Sequence, residues 1–239
     1  MKPLDQIARS LKIAVLQTGR APEELQAEHG DYDAMCKALL GLAPAEAQTF
    51  AVLDNEFPEE PAAYDALLIT GSRHGVYEDH AWIAPLEDLI RAAYGRGQKM
   101  IGICFGHQII AQALGGRVEK SAKGFGVGLM DYDLERSDGS QTPVSLCAWH
   151  QDQIIEAPQG ARVIARSPFC EIAGLQYSEK AITFQAHPEF SRAYVRDLIA
   201  LRTPVMLDQD LSRSALESLE GAAHPDAIRL ELAAFLSAD

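Results

Sequence analysis

Cys104 lies in Ile101-Gly102-Ile103-Cys104-Phe105-Gly106-His107-Gln108. Before it comes an apolar run, Met100 to Ile103, with the character of a buried strand. After it comes Ile109 to Leu114, which reads as a helix closed by Gly115-Gly116. A cysteine at that junction sits on a tight strand-to-helix turn. Flanking glycines let the backbone turn sharply, and the amides and dipole of the helix start favour a thiolate. Only a few per cent of an unperturbed thiol is ionised at neutral pH, so a nucleophile here needs that help and a base. A small buried hydrophobe is the other reading of the same cysteine. A base and its orienting group are available far along the chain in His187-Pro188-Glu189. His187 ends a strand as Cys104 does, and Glu189, past a rigid proline, can point back at the imidazole. Taken alone, His-Pro-Glu is a common loop tripeptide.

The elements that must position these groups follow from hydrophobic periodicity. Short apolar runs at Lys12 to Leu16, Thr49 to Leu53, Ala66 to Thr70 and Met100 to Ile103 have the length and two-faced apolarity of central parallel strands. Between them lie helical patterns: Tyr32, Met35, Cys36, Leu39 and Leu40, then a helix over 82–95. Such alternation predicts a parallel sheet with helices on both faces, where chemistry gathers at the carboxyl ends of strands. Gly71-Ser72 and Cys104 both occupy that position. After Gly116 the pattern changes to short strands and turns, including a hairpin turn at Tyr177 to Ala181, which predicts antiparallel additions to the sheet edge. A helix from Ser191 to Arg202 and two amphipathic segments, Ser212 to Glu220 and Pro225 to Leu236, complete the chain. The expected fold class is α/β, a flavodoxin-like three-layer α/β/α sandwich with a mostly parallel central sheet, antiparallel edge additions and C-terminal helices. Residues 1–202 form the expected domain, and 203–239 a helical extension packed on it.

The chain of 239 residues is 47% hydrophobic, enough to bury a full core. Its formal charge of −13 argues against an extended nucleic-acid or anionic-membrane surface. No apolar run approaches a membrane span and the N-terminus lacks a secretion signal, so the expected location is cytoplasmic. Cys36, Cys104, Cys147 and Cys170 fit no zinc or redox spacing and read as free thiols.

Together, Gly102 to Gln108 and, after a β-rich stretch, Phe184-Gln185-Ala186-His187-Pro188-Glu189 resemble the class I glutamine amidotransferases, nearest to the glutamine-hydrolysing domain of GMP synthase and its free-standing relatives. Ile69 to Asp79 resembles the family's oxyanion strand, and Ala148-Trp149-His150-Gln151-Asp152 its substrate-side loop. The resemblance spans about residues 12–200. It implies that Cys104 attacks a glutamine side-chain amide to give a γ-glutamyl thioester and ammonia. His187 moves the proton and Glu189 holds the ring. The backbone N–H groups of Phe105 and of Gly71 or Ser72 meet the oxyanion, and Gln108, Gln151 and Asp152 line the glutamine site. No cofactor and no metal are implied. One departure is Ala186, where the synthase domains usually carry an aromatic residue. No ATP-pyrophosphatase half or Walker-type phosphate loop is present, so the chain is not expected to make GMP by itself.

Other histidines have plainer readings. His107 reads as structural, and His74 and His80 as solvent-facing loop residues. His150 is either a site residue or a buried, hydrogen-bonded one. His29, Asp31 and Asp33 lack a closing ligand set for a metal. Two functions share the implied acyl-enzyme chemistry: a glutaminase handing ammonia to a separate synthetase, and a free-standing hydrolase or transferase of γ-glutamyl peptides or conjugates. The expected partners are the small-molecule substrate and that separate synthetase, with no nucleic acid and no membrane. A non-catalytic binding module is disfavoured because every triad member is present.

Overall fold

The computed structural model describes residues 2–203 and 205–238. Among them, nine strands form one sheet: β2 (Gln48–Phe50), β1 (Ile13–Leu16), β3 (Ala66–Ile69), β4 (Lys99–Ile103), β11 (Ala181–Phe184), β10 (Gly174–Tyr177), β9 (Arg162–Arg166), β6 (Gly126–Glu135) and β7 (Gln141–His150), in that spatial order. The first five run parallel to one another, and from β11 to β7 every pairing is antiparallel. β5 (Arg117–Lys120) and β8 (Asp152–Glu156) make a separate antiparallel pair.

Alternate residues of the parallel strands enter different cores, which is why both faces must be covered. Ile13, Val15, Leu68 and Ile101 pack with α1 (Leu4–Arg9), α3 (Tyr32–Leu39) and α8 (Pro225–Ser237). Ala14, Leu16, Leu67 and Met100 pack with α4 (Ile83–Arg96) and α5 (Phe105–Ala113). A third cluster joins α6 (Arg192–Arg202) and α7 (Gln209–Ser218) to the antiparallel half, through Tyr194, Leu198 and Ala215 against Val127 and Cys147. Caps fix where helices begin: Asp31 accepts from Tyr32 N–H, Ser191 from Tyr194 N–H and Asp208 from Leu211 N–H. The three-layer arrangement with an antiparallel extension is the expected one.

Several boundaries differ from expectation. The strand expected at Thr49 to Leu53 ends at Phe50, because Leu53 N–H turns back onto Gln17 O and Asn55 takes a left-handed φ of 64°. The helix after Cys104 begins at Phe105, ahead of the apolar run that marked it. α2 (Glu23–His29) buries no residue and β8 only two, so neither leaves a readable period, whereas the buried Leu4, Ile7 and Ala8 of α1 stand at helical spacing in a helix of only six residues. No helix among the described residues is long and apolar enough to cross a membrane.

Candidate active site

Three adjacent parallel strands, β3, β4 and β11, deliver their carboxyl ends to one place. Their register is fixed by Ile69 opposite Gly102 and Ile103 opposite Phe184. Cys104 follows β4 with φ 52° and ψ −101°, a conformation rare for any residue but glycine. It is held there from both sides. Its N–H donates to Phe184 O at 2.8 Å, and Gly106 N–H donates to Thr70 O at 3.1 Å. The turn also needs glycines. A Cβ on Gly102 would lie 2.6 Å from Gly106 O, and one on Gly106 would lie 2.3 Å from Ile69 O. Phe105 opens α5, so its N–H belongs to the first turn, which has no intrahelical acceptor.

Gly71 follows β3 and faces the side chains of both Cys104 and His187. A Cβ there would meet His187 Cε1 at 3.1 Å and Cys104 Cβ at 3.8 Å. The backbone before it is steadied from just past β1, where Thr18 N–H donates to Thr70 Oγ1 at 3.0 Å and Thr18 Oγ1 lies 2.9 Å from Thr70 O and 3.2 Å from Gly71 O.

His187 lies just beyond β11. Its N–H donates to Cys147 O at 2.8 Å, and its ring stacks on Phe190 with centroids 4.0 Å apart. Nδ1 sits 2.7 Å from Glu189 Oε1, and both side chains are almost wholly buried. With Nδ1–H donating to the carboxylate, Nε2 is left for the sulfur. Burial opposes charge on this ring, but Glu189 and Cys104 outweigh it and raise its pKa well above the usual value.

Gln108 Nε2 donates to Asp152 O at 2.8 Å and to Gln185 Oε1 at 3.0 Å. Gln185 Nε2 in turn lies 3.5 Å from Cys104 Sγ. This contact was not legible in sequence: Gln185 belongs to the motif around His187, but nothing local identifies its partner. Asp152 thus presents its carbonyl inward, while its carboxylate accepts from Tyr77 OH at 3.0 Å. Gln151 O accepts from Ser121 N–H, and its side chain makes no hydrogen bond among the described residues.

His107 is fully buried, with Nδ1 2.7 Å from Thr183 Oγ1 and Nε2 3.0 Å from Ile172 O. It ties α5 to the sheet. His150 is also buried, with Nδ1 3.2 Å from Asp152 O. His29, Asp31 and Asp33 do not converge. His29 pairs with Asp197, Asp31 accepts from Ala21 and Tyr32 N–H, and Asp33 from Thr49. All four cysteines are free and buried.

The family model Glutamine amidotransferase class-I matches residues 41–196. Gamma-glutamyl peptidase 4 of Arabidopsis thaliana is 34% identical over 182 residues, 72% of each chain. A glutamine amidotransferase-like protein of Schizosaccharomyces pombe is 28% identical over 243 residues, 94% of this chain and 98% of its own. In fold, the chain is similar to the crystal structure of a glutamine amidotransferase from Thermotoga maritima, with a TM-score of 0.75 at 19% identity, over 95% of this chain and 99% of that one.

Proposed function

Since the chain belongs to the class I glutamine amidotransferase family, a family of hydrolytic enzymes that cleave C–N bonds, we propose that Cys104, His187 and Glu189 are its catalytic triad and the γ-amide of glutamine its substrate bond. Cys104 Sγ attacks the amide carbon. The carbonyl oxygen becomes an oxyanion within reach of Phe105 N–H and the N–H of Gly71 or Ser72. His187 Nε2 passes the thiol proton to the leaving nitrogen, the C–N bond breaks, and ammonia departs from a γ-glutamyl thioester. Water, deprotonated by the same nitrogen, then releases glutamate and restores the thiol. Glu189 keeps the ring in the required tautomer. Gln108 and Asp152, with Gln151 beside them, form the side of the pocket that takes the amino-acid end.

The observation that carries this reading is the convergence of the Cys104 thiol and the Glu189-bound imidazole on the open face of Gly71. On the same reading, residues 1–202 are the catalytic unit and 203–239 an extension of it. Ammonia passes to a separate synthetase subunit. The four free thiols suit a cytoplasmic setting. The similarity to a γ-glutamyl peptidase favours one second reading, in which the leaving group is the amine of a γ-glutamyl peptide.

Both readings are tested by assaying purified protein for ammonia release from glutamine and amine release from a panel of γ-glutamyl peptides. Cys104→Ser is expected to reduce either activity by about 1,000-fold or more, with a smaller loss for Glu189→Gln than for His187→Ala. Undiminished turnover by Cys104→Ser would sink the mechanism. A kcat/KM for peptides far above that for glutamine would select the second reading.

A further inference from the structure

The loop after β3 carries a second constellation of titratable side chains, apart from the thiol. His74 Nδ1 lies 3.0 Å and His80 Nε2 2.7 Å from one oxygen, Oε2, of Glu78. These ligand atoms all lie within 4.8 Å of one another. The other glutamate oxygen accepts from Gly75 N–H at 2.9 Å, which fixes the carboxylate across the loop. The two imidazoles touch, with centroids 4.1 Å apart, and His80 stacks on Trp82 at an interplanar angle of 11°. The rings are therefore held by packing rather than left to rotate freely.

Two imidazole nitrogens and a carboxylate oxygen, all partly exposed, suit a borderline cation with ligand bonds of about 2.0–2.2 Å. Neutral rings can offer these nitrogens by moving the N–H to the other ring position, and a protonated ring must first release its proton. The cluster of Glu28, His29 and Asp197 is a poorer set, with one imidazole and two carboxylates. We propose that His74 Nδ1, Glu78 Oε2 and His80 Nε2 form a binding site for a late first-row divalent cation of the Zn²⁺ class, with water completing the coordination shell. Such an ion fastens the middle of the loop that begins at Gly71 and Ser72. The loop ends at Trp82, which packs on Phe105 with ring centroids 5.4 Å apart. The site does not depend on the reading of Cys104.

The test uses full-length Cys104→Ser protein stripped of metal, so that the thiol cannot contribute. Zn²⁺ is titrated in competition with a chromophoric chelator, and Co²⁺ is added separately for its absorption spectrum. Expected are saturation at about one ion per chain, roughly tenfold or greater loss of affinity in both His80→Gln and Glu78→Gln, and Co²⁺ bands without a thiolate charge-transfer band. Glu78→Gln keeps an oxygen for Gly75 N–H and so guards against a loss caused only by unfolding. Absence of binding, unchanged affinity in the two variants, a thiolate band, or loss of binding in Asp197→Asn instead would each overturn the proposal.

Discussion

His107 and His150 are buried against backbone carbonyls, whereas His187 is buried against a carboxylate. The difference sets opposite pH dependences. Burial pushes His107 down to about 3 and His150 down to about 4, and for both rings the carbonyl contact only partly offsets it. An unfolded histidine titrates near 6.5, so below that pH the unfolded chain binds protons that the folded chain refuses. Stability must therefore fall as pH drops from about 6.5 towards 4, by about 1.4 kcal/mol per pH unit for each of the two rings. His187, with its pKa raised, stays protonated in the folded chain across that window, so it opposes the acid loss near pH 6.5 and adds no slope well below it. Its stabilisation is complete below about 6.5 and is lost as pH rises through its folded pKa. Urea melts at pH 7 and pH 5 are expected to show the acid loss, and His107→Gln to remove about half of it. An identical pH profile in the variant would refute the assignment.

At the level of elements, the site is a crossing of backbones. α5 approaches β3 so closely that only glycine fits at 106, where a Cβ would collide with Ile69 O at 2.3 Å. Gly106→Ala is expected to destabilise the fold by about 1–3 kcal/mol and to lower turnover, because moving α5 moves Cys104 and Phe105 N–H together. A denaturation midpoint and kcat both unchanged would show that the crossing is looser than described. This half of the molecule was legible in the sequence because buried parallel strands are short apolar runs ended by glycine, as at Ile69 to Gly71 and Ile103 to Gly106. β8 is not legible in the sequence, for the opposite reason. It pairs only with β5, and of its five residues only Gln153 and Ile154 are buried, so no run or alternation marks it. The Gln108–Gln185–Cys104 chain was hidden because long-range polar pairing leaves no periodic trace.

On the scale of the whole molecule, the last two helices close the core rather than decorate it. Ile228 and Leu232 of α8 are fully buried with Tyr132, Leu134, Val144 and Leu146 of the antiparallel strands. Ser218 of α7 accepts from Leu129 N–H at 2.8 Å, and Gly128 leaves room for that contact. Glu231 enters the same face, where it pairs with Arg136 and accepts from Ser137 N–H. Each buried Leu or Ile is worth about 1.5–3 kcal/mol, so losing several approaches the whole stability of a typical domain. A chain ending at Arg202 is therefore expected to aggregate or to lose its cooperative melt. A soluble 1–202 fragment with the parent midpoint would make the extension a dispensable appendage.

The change from parallel to antiparallel at β11 divides the chain as well as the sheet. Every strand on the antiparallel side, from β5 through β10, belongs to one uninterrupted stretch of chain, residues 117–177, set between the helix after Cys104 and the strand before His187. β4 and β11, which set the register between thiol and imidazole, lie outside that stretch, but β7 inside it holds His187 N–H through Cys147 O. Turns within it can change in length while Cys104 and His187 keep their register, provided that the contact of Cys147 O with His187 N–H is kept.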